Sequence, residues 1–236
     1  MKSEVGMFAF LRRKKIFYET GWDSYSKTWK DRVGKEGVGH LGDEWGDTTL
    51  TEEIMARYVV PNIGPRAKIL EIGCGGGKFS ERLVGLGGSL VCADVSSEML
   101  GRTHERLHGG KNVAFQKLNG YDLHQFRKDS FDFVFSFDTF VHIDMEDSYS
   151  YLAEIRRVLR PGGKGFLHFA NLNSQEGWKK FVEEVPFHRG SKEYYNQFRF
   201  LTWEIVERFF SSLGFEILDH RKEPFRDILV QFRKPV

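Results

Sequence analysis

The amino-acid sequence predicts an α/β protein with one doubly wound, mostly parallel sheet and helices on both faces. From residue 67 onward, short apolar runs alternate with segments whose apolar residues recur at helical spacing. The apolar runs are nearly continuous, which is typical of parallel strands that are covered on both faces. A glycine cluster follows the first run directly, as where a strand turns into a helix beside a ligand. Together these patterns indicate alternating strands and helices around a parallel sheet.

The strands are predicted from β-rich or apolar runs and the helices from apolar residues at helical spacing. The predicted strands are Lys68–Ile72, Ser89–Ala93, Val113–Leu118, Phe131–Phe137, Lys164–Phe169, Phe215–Leu218 and Ile228–Phe232. The predicted helices are Phe79–Leu86, a helix that opens at Ser97 and contains Leu107, a third helix with Tyr151, Leu152, Ile155, Val158 and Leu159 on one face, and Trp203–Leu213. Pro161-Gly162-Gly163 stops the third helix, Thr202 is a plausible N-cap of the fourth, and Gly214 ends it.

Two long segments stand outside this alternation. Residues 1–66 precede the first strand and are predicted to form a helical cap or lid, while residues 67–236 form the ligand-binding domain. Within that domain, residues 171–201 make a long connection after the fifth strand, and such excursions in compact α/β domains are usually functional lids. Polar and aromatic residues concentrate in two stretches of these segments, 40–46 and 187–200, so we expect both to shape a pocket.

Composition excludes several classes of protein. The chain has 236 residues and a net charge of +2, which is too small to imply a nucleic-acid partner, and no apolar run is long enough to span a membrane. The basic run at residues 12–15 follows an apolar stretch, the reverse of a secretory signal, and favours a surface arm or helix over a membrane anchor. Cys74 and Cys92 fall in or beside predicted strands, so we expect a reducing, cytoplasmic compartment.

The most informative stretch is Glu71-Ile72-Gly73-Cys74-Gly75-Gly76-Gly77, where a strand runs into glycines and then a helix. A dinucleotide site would need Gly-x-Gly-x-x-Gly to place pyrophosphate on the helix N-terminus, but here the third glycine comes one residue early. Glu71 would repel pyrophosphate and could instead face an ammonium group. S-adenosylmethionine carries such a group and no phosphate.

Asp94 supplies the second part of the pattern. It lies 23 residues after Glu71, at the end of the second predicted strand. A carboxylate at this place can accept hydrogen bonds from both ribose hydroxyls of a nucleoside. An aspartate after a strand is more often a helix cap, but its spacing from the glycine loop favours the ribose.

These motifs, in their order, resemble those of the class I S-adenosylmethionine-dependent methyltransferases. The resemblance rests on Glu71-x-Gly73-x-Gly75-x-Gly77, on Asp94, on Phe131–Asp138 and on Leu159–Lys164, and it spans residues 67–170, with Leu213–Phe215 extending it. It implies a seven-stranded sheet whose last strand is antiparallel. It also implies that S-adenosylmethionine is the cofactor and that the protein transfers a methyl group.

The resemblance carries cofactor roles to individual positions. Glu71, Gly73 and Gly75 would surround the methionine end, and Asp94 would hold the ribose. Backbone at Phe137 would meet the methionine moiety. Two further positions belong to the loop, Cys74 within it and Gly77 at the turn into the helix. Val95 and Met99 would lie near the adenine, and Asn119-Gly120-Tyr121 lies where the family reads the adenine amino group. Trp29 would close over the cofactor, or, as the alternative, only pack its helix.

The acceptor side is less determined. His142 lies just beyond the fourth strand, where it could be the base or a substrate contact, or could cap a helix or stabilise the cofactor loop. His168 is predicted to be a core histidine. Asp138, His142, Asp144 and His168 lie close in sequence but lack a metal-ligand spacing, so no metal is predicted.

The expected acceptor is a small molecule. Methyltransferases of this class that act on nucleic-acid amino groups usually carry a Pro-Pro aromatic motif after the fourth strand, and there is no proline between Pro65 and Pro161. We expect O-methylation of a hydroxylated or sugar-like acceptor, with N-methylation of a small amine or a protein side chain as the alternative. A non-catalytic binding module is disfavoured because the loop and Asp94 are intact, and an NAD-dependent oxidoreductase is disfavoured by the glycine spacing. The sequence leaves the oligomeric state open.

Overall fold

The computed structural model describes residues 18–29, 39–44, 48–108, 110–188, 196–222 and 226–236. The basic run at residues 12–15 lies outside the described residues. So do the parts of the two expected pocket-shaping stretches at residues 45–46 and 189–195. Within the described ranges, no helix is long and apolar enough to cross a membrane.

Among the described residues, eight strands form the sheet. They are β1 (Lys68–Ile72), β2 (Ser89–Asp94), β3 (Val113–Lys117), β4 (Phe131–Phe135), β5 (Leu159–Asn171), β6 (Phe200–Leu201), β7 (Glu216–Arg221) and β8 (Asp227–Arg233). The described helices are α1 (residues 18–29), α2 (Thr48–Ile54), α3 (Ser80–Leu83), α4 (Ser97–Arg106), α5 (Met145–Val158), α6 (Gln175–Glu184) and α7 (Trp203–Ser212). Helix α2 continues through a π turn, Met55–Val59, into a 3-10 turn, Val60–Asn62.

The strand order across the sheet is β3-β2-β1-β4-β5-β8-β7. Pairs from β3 to β5 are parallel, whereas β8 runs antiparallel to both β5 and β7. The prediction of a doubly wound, mostly parallel sheet with an antiparallel last strand is therefore confirmed. The two-residue strand β6, which pairs with the end of β5, was not predicted. The chain leaves β1 towards β2 and later returns on its other side at β4, so the switch point of the topology lies between β1 and β4.

Each face of the sheet has its own apolar cluster. Ile69 and Leu70 are neighbours on β1 but enter different clusters, because successive side chains of a strand point to opposite faces. Residues of α5 and α7, such as Ile155 and Phe210, cover one face. The segment of α2 and its π turn, with Tyr58, covers the other together with α3. Part of the N-terminal 66 residues thus packs directly on the sheet.

Several element bounds differ from the prediction, and two of the differences have a direct physical reason. Helix α3 ends at Leu83 instead of continuing to Leu86, because Val84 is extended and Gly85 has a φ of +90°. The prediction also placed Pro161-Gly162-Gly163 between a helix and the next strand. The helix does end before it, but β5 starts at once and includes these three residues, since Gly162 and Gly163 exchange backbone hydrogen bonds with Lys234.

Replacing Gly165 should destabilise the fold. Gly165 lies on β5 opposite Phe232 of β8, and a Cβ atom there would come 2.3 Å from the end of the Phe232 ring. We expect Gly165→Ala to lower the free energy of unfolding by about 1–3 kcal/mol, the usual cost of overpacking a core. The matched control is Gly101→Ala in α4, where nothing lies within 4 Å and the better helix former should stabilise the protein by about 1 kcal/mol. Chemical denaturation of both variants measures the difference, and equal stability would contradict the packing argument.

Candidate active site

A cavity opens at the carboxyl ends of the central strands, beside the switch point. Most of the residues singled out in the sequence line it. These are Glu71, Gly73, Cys74, Gly75, Asp94, Val95, Met99, Gly120, Phe137 and His142. Outside the lining lie Trp29, Gly77, Asn119 and Tyr121.

The glycine loop after β1 is confined on two sides. Gly73 has a φ of +73°, and a Cβ atom on it would come 2.0 Å from the hydroxyl oxygen of Thr139. A Cβ on Gly76 would come 2.0 Å from the backbone oxygen of Leu41, which belongs to the described loop 39–44. The loop can follow this path only because these positions have no side chain. The backbone therefore borders the cavity directly.

Gly77 has a different structural role from Gly73 and Gly76. Its φ is +86°, and a Cβ atom would lie 3.2 Å from side-chain atoms of both Thr103 and Arg106 on α4. It lies outside the cavity lining. Its place at the turn that leads into α3 is the one that the sequence pattern predicted. Its contribution is to let the loop pass close to α4.

Asp94 ends β2 with its carboxylate fixed by backbone donors. Gly75 donates its N–H to Oδ2 at 3.0 Å, and Ser96 donates its N–H to Oδ1 at 2.8 Å. Burial raises the pKa of Asp94 to about 6, although the backbone hydrogen bonds oppose that rise. One carboxylate thus joins the glycine loop to the N-terminus of α4 and still faces the cavity.

Glu71 is almost completely buried beneath the loop. The hydroxyl of Ser80 donates a hydrogen bond to its Oε2. Burial is the main reason that the pKa of Glu71 rises to about 8, so the group holds a proton at neutral pH. A bound cation would favour the charged form and displace that proton.

The residues expected around the adenine divide into two groups. Val95 and Met99 line the cavity, as does Gly120. The side chain of Asn119 is used locally instead: its Oδ1 accepts the N–H groups of Tyr121 and Asp122, both at 3.0 Å. Its amide group donates to the Asp122 carboxylate at 2.7 Å. Asn119 therefore shapes the turn after β3 and does not line the cavity in this structure.

Helix α1 gives the cavity aromatic residues that the sequence analysis did not assign to it. Trp29 lies outside the lining and donates its indole N–H to Glu44 at 2.8 Å, while Tyr25 donates its hydroxyl to the same carboxylate oxygen at 3.0 Å. Tyr18 and Trp22 line the cavity instead. All four aromatic residues share one stripe of the helix, with spacings of 4, 3 and 4 residues. The stripe was a sequence signal, but its spacing does not tell which end reaches the cavity.

His142 ends the 3-10 turn Phe140–His142 and lines the cavity. Its Nδ1 lies 3.3 Å from the backbone oxygen of Gln197, which can only accept, so Nδ1 carries the proton and Nε2 is free to accept. The rings of Trp22 and Phe198 meet its ring edge-to-face, both at 5.2 Å. Burial lowers the pKa of His142 to about 4, so the imidazole is neutral at physiological pH.

A second histidine lies behind the cavity wall. His168 is wholly buried on β5, in agreement with the predicted core role. Its Nδ1 accepts the backbone N–H of Asp138 at 3.1 Å, and its Nε2 lies 3.1 Å from the carboxylate of Asp227. Asp227 in turn accepts both Nε and an NH₂ group of Arg226 at 2.7–2.9 Å. Sequence reasoning missed this chain of contacts because Arg226 and Asp227 lie almost 60 residues away from His168.

Metal ligation has no support among the described residues, which contain no group of three or more His, Cys, Asp or Glu side chains that could hold an ion. Asp144, one of the residues considered for such a site, accepts a hydrogen bond from Arg199 at 2.8 Å.

Comparisons with known proteins agree with this geometry. A family model described as a methyltransferase domain matches residues 70–167, from β1 to β5. A ubiquinone biosynthesis O-methyltransferase of Dinoroseobacter shibae is 26% identical over 224 residues, which cover 89% of this chain and 86% of that protein. The enzyme of the same name from Xanthomonas axonopodis is 31% identical over 141 residues, or 56% of this chain and 58% of the relative. In most of these matches the chain spans about half the length of the curated relative.

Solved structures share the fold. A methyltransferase from Methanosarcina mazei superimposes with a TM-score of 0.60 at 22% identity, covering 75% of this chain and 96% of that one. The magnesium protoporphyrin IX methyltransferase of Synechocystis PCC 6803, with bound S-adenosylhomocysteine, gives a TM-score of 0.69 at 16% identity, covering 93% and 99%. A [4+2]-cyclase also gives 0.69 at 16% identity, covering 92% and 95%. At such identities the likeness shows the fold alone. The family model matches the strands that carry the sequence motifs, so residues 70–167 of the chain are similar to a methyltransferase domain.

Proposed function

We propose that this protein binds S-adenosylmethionine and transfers its methyl group to a hydroxyl of a small molecule. The observation that carries the proposal is that the glycine loop, Glu71, Asp94 and His142 line one cavity at the switch point. The names of the relatives, which are O-methyltransferases, support transfer to oxygen.

The residues present fit S-adenosylmethionine. A buried carboxylate at Glu71 suits the ammonium of its methionine part, and the carboxylate of Asp94 suits the ribose hydroxyls. The carboxylate of Asp94, which is mostly ionised at neutral pH, would repel a pyrophosphate, and the third glycine comes one residue early for a dinucleotide loop, so a dinucleotide is disfavoured. When bound, the cofactor would supply an electrophilic methyl group on a sulfonium. The glycine loop, Val95 and Met99 would hold its nucleoside and methionine parts against the sheet edge.

The chain would contribute alignment, exclusion of water and removal of a proton. Tyr18 and Trp22 wall the cavity with rings, which favours an apolar setting for the reaction. His142 has Nε2 free to accept the proton of an acceptor hydroxyl, since Nδ1 is committed to Gln197. Its lowered pKa makes it a weak base, and this is the observation that keeps an amine acceptor, which needs less help, as the second candidate.

We further propose that a cap and a lid shape the acceptor pocket. Helix α1 supports a cap in residues 1–66, because it supplies Tyr18 and Trp22 to the lining. Gln197, in the connection 171–201, contacts His142, which supports a lid there. A hydroxylated or sugar-like small molecule fits such a pocket better than a nucleic acid, which would need a basic surface. Free, buried Cys74 and Cys92 support a reducing compartment, and we propose the cytoplasm.

Calorimetry tests the cofactor site. We expect micromolar binding of S-adenosylmethionine and of S-adenosylhomocysteine, and no binding of NAD. Asp94→Asn should weaken both cofactor forms by about 1.5–3 kcal/mol, the scale of lost hydrogen bonds to a charged group. Binding of NAD alone, or of none of the three, would refute the proposed function. Unchanged affinity in the variant would mean that Asp94 does not hold the ribose.

Cofactor binding should release a proton from Glu71. In the free protein its pKa is about 8, so it is protonated at pH 7, and a bound ammonium favours the charged form. Affinity should therefore rise as the pH rises towards 8, with up to about one proton released per site at pH 7. Asp94, with a pKa of about 6, is already mostly ionised there. Calorimetry in two buffers of different ionisation enthalpy counts the protons.

The matched control for this measurement is Glu71→Gln, which removes the titrating group and keeps the shape. The variant should bind without proton release and with an affinity that no longer rises between pH 7 and 8. If it releases as many protons as the parent protein, Glu71 is not the group that meets the ammonium.

Loss of His142 should remove methyl transfer but not cofactor binding. Once a screen of sugars and other hydroxylated compounds with labelled S-adenosylmethionine has identified an acceptor, His142→Ala should lower kcat by about 10²- to 10⁴-fold, the usual contribution of a general base. The control is His220→Ala, whose ring stacks on Trp203 at 4.0 Å at the far edge of the sheet, and which should retain full activity. Full activity of His142→Ala would exclude the base role and favour an amine acceptor.

A further inference from the structure

The charges that line the cavity do not all have a role in the proposed function. Among the described residues, the charged side chains of the lining are Glu71, Asp94, Asp138 and Lys78. Glu71 and Asp94 are assigned to the ammonium and the ribose of S-adenosylmethionine. Asp138 is the third carboxyl group of the described lining; burial raises its pKa, and the charge of Lys78 is among the causes that lower it. The cofactor has one more positive charge, on its sulfonium sulfur, which Asp138 could face.

Asp138 has a backbone conformation that is uncommon for residues other than glycine. Its φ is +54°, in the left-handed region, which aspartate and asparagine adopt more often than other residues with a side chain. Such conformations persist only where the surroundings impose them, and they concentrate at functional sites. Here the backbone N–H of Asp138 is donated to Nδ1 of His168 at 3.1 Å. The contact holds the chain at the end of β4 so that the carboxylate borders the cavity.

The tautomer of His168 follows from its contact with Asp138. Because Nδ1 accepts from a backbone N–H, the ring proton of the neutral imidazole must be on Nε2, which lies 3.1 Å from the Asp227 carboxylate but does not form a hydrogen bond of good geometry with it. Burial alone would raise the pKa of Asp227, but His168 and Arg226 lower it below its ordinary value, so it stays ionised and attracts the proton. The His168 ring also stacks on Phe137, with 4.3 Å between ring centroids. Arg226, Asp227 and His168 thus form a fixed support for Asp138.

This support costs free energy, since burying charged and polar groups is expensive even when they are paired. An apolar packing of β5 against β8 would hold the sheet as well. What the polar arrangement adds is a fixed place for one carboxylate at the cavity wall.

We propose that Asp138 recognises the positive charge of the sulfonium, so that the site distinguishes S-adenosylmethionine from its uncharged product, S-adenosylhomocysteine. The inference rests on the proposed function, because it takes the cofactor as given. Once the methyl group has left, sulfur is a neutral thioether and the attraction to Asp138 disappears. The carboxylate therefore favours the substrate form of the cofactor and eases release of the product form. His168 acts as the positioning residue for this carboxylate.

The test compares the dissociation constants of the two cofactor forms in three proteins. Asp138→Asn keeps the shape and the backbone N–H and removes the charge, and asparagine tolerates the left-handed conformation well. At about pH 8, calorimetry should show S-adenosylmethionine weakened by about tenfold and S-adenosylhomocysteine unchanged within about twofold, in line with the loss of one buried charge interaction. Asp94→Asn is the matched control: both forms contain the ribose, so it should weaken both alike and leave their ratio unchanged.

A second pair of variants tests the positioning role. His168→Asn keeps an acceptor for the Asp138 N–H, whereas His168→Ala removes it. The parent ratio of the two dissociation constants should therefore persist in His168→Asn and fall towards the Asp138→Asn value in His168→Ala. A merely structural role of His168 predicts a different result: a loss of stability would affect the binding of both cofactor forms, so it would not change the ratio of their dissociation constants in His168→Ala while leaving the parent ratio in His168→Asn.

An unchanged ratio in Asp138→Asn, or equal weakening of both forms, would overturn the inference and leave the proposed function intact. Failure of the parent protein to bind either form would overturn both. The two failures are therefore distinguishable in the same experiment.

Discussion

The site depends on one close approach, that of the glycine loop to the residues around it. Gly73 passes so near Thr139, and Gly76 so near Leu41, that neither position can carry a Cβ atom. The first contact ties β1 to the segment after β4, and the second ties the loop to the N-terminal part of the chain. Because β1 and β4 flank the switch point, the same contacts that close the loop also shape the cavity.

Electrostatics follows from that packing. The loop covers Glu71 and borders Asp94, and burial raises the pKa of both carboxyl groups. A site in which acids are kept partly protonated until a cation arrives avoids the cost of an unpaired buried charge. The cavity is thereby suited to a ligand with positive groups, and it opposes one with phosphates. Ligand choice is thus a consequence of burial as much as of the residue types.

Much of this could be predicted from the sequence, because it depends on local patterns. Apolar runs gave the strands, and the spacing of Glu71, the glycines and Asp94 gave the cofactor side of the cavity. What could not be predicted depends on contacts between distant segments. The support of Asp138 needs β4, β5 and β8 side by side, and no local pattern joins Asp227 to His168. Likewise, Trp22 lines the cavity and Trp29 does not, because of where helix α1 lies against the loop that contains Glu44.

The fold itself does not determine the reaction, since a [4+2]-cyclase shares it. The chemistry must therefore come from the side chains around the cofactor loop, and in the proposed function these include residues of the segment from Phe137 to His142. Two of its polar residues, His142 and Asp138, differ in what they offer. His142 is neutral and has one free acceptor nitrogen, whereas Asp138, whose backbone N–H is held by His168, offers a carboxylate. A neutral acceptor suits the proton of a hydroxyl, and a carboxylate suits a positive charge that vanishes during the reaction. One short turn after β4 can thus serve both partners of a methyl transfer.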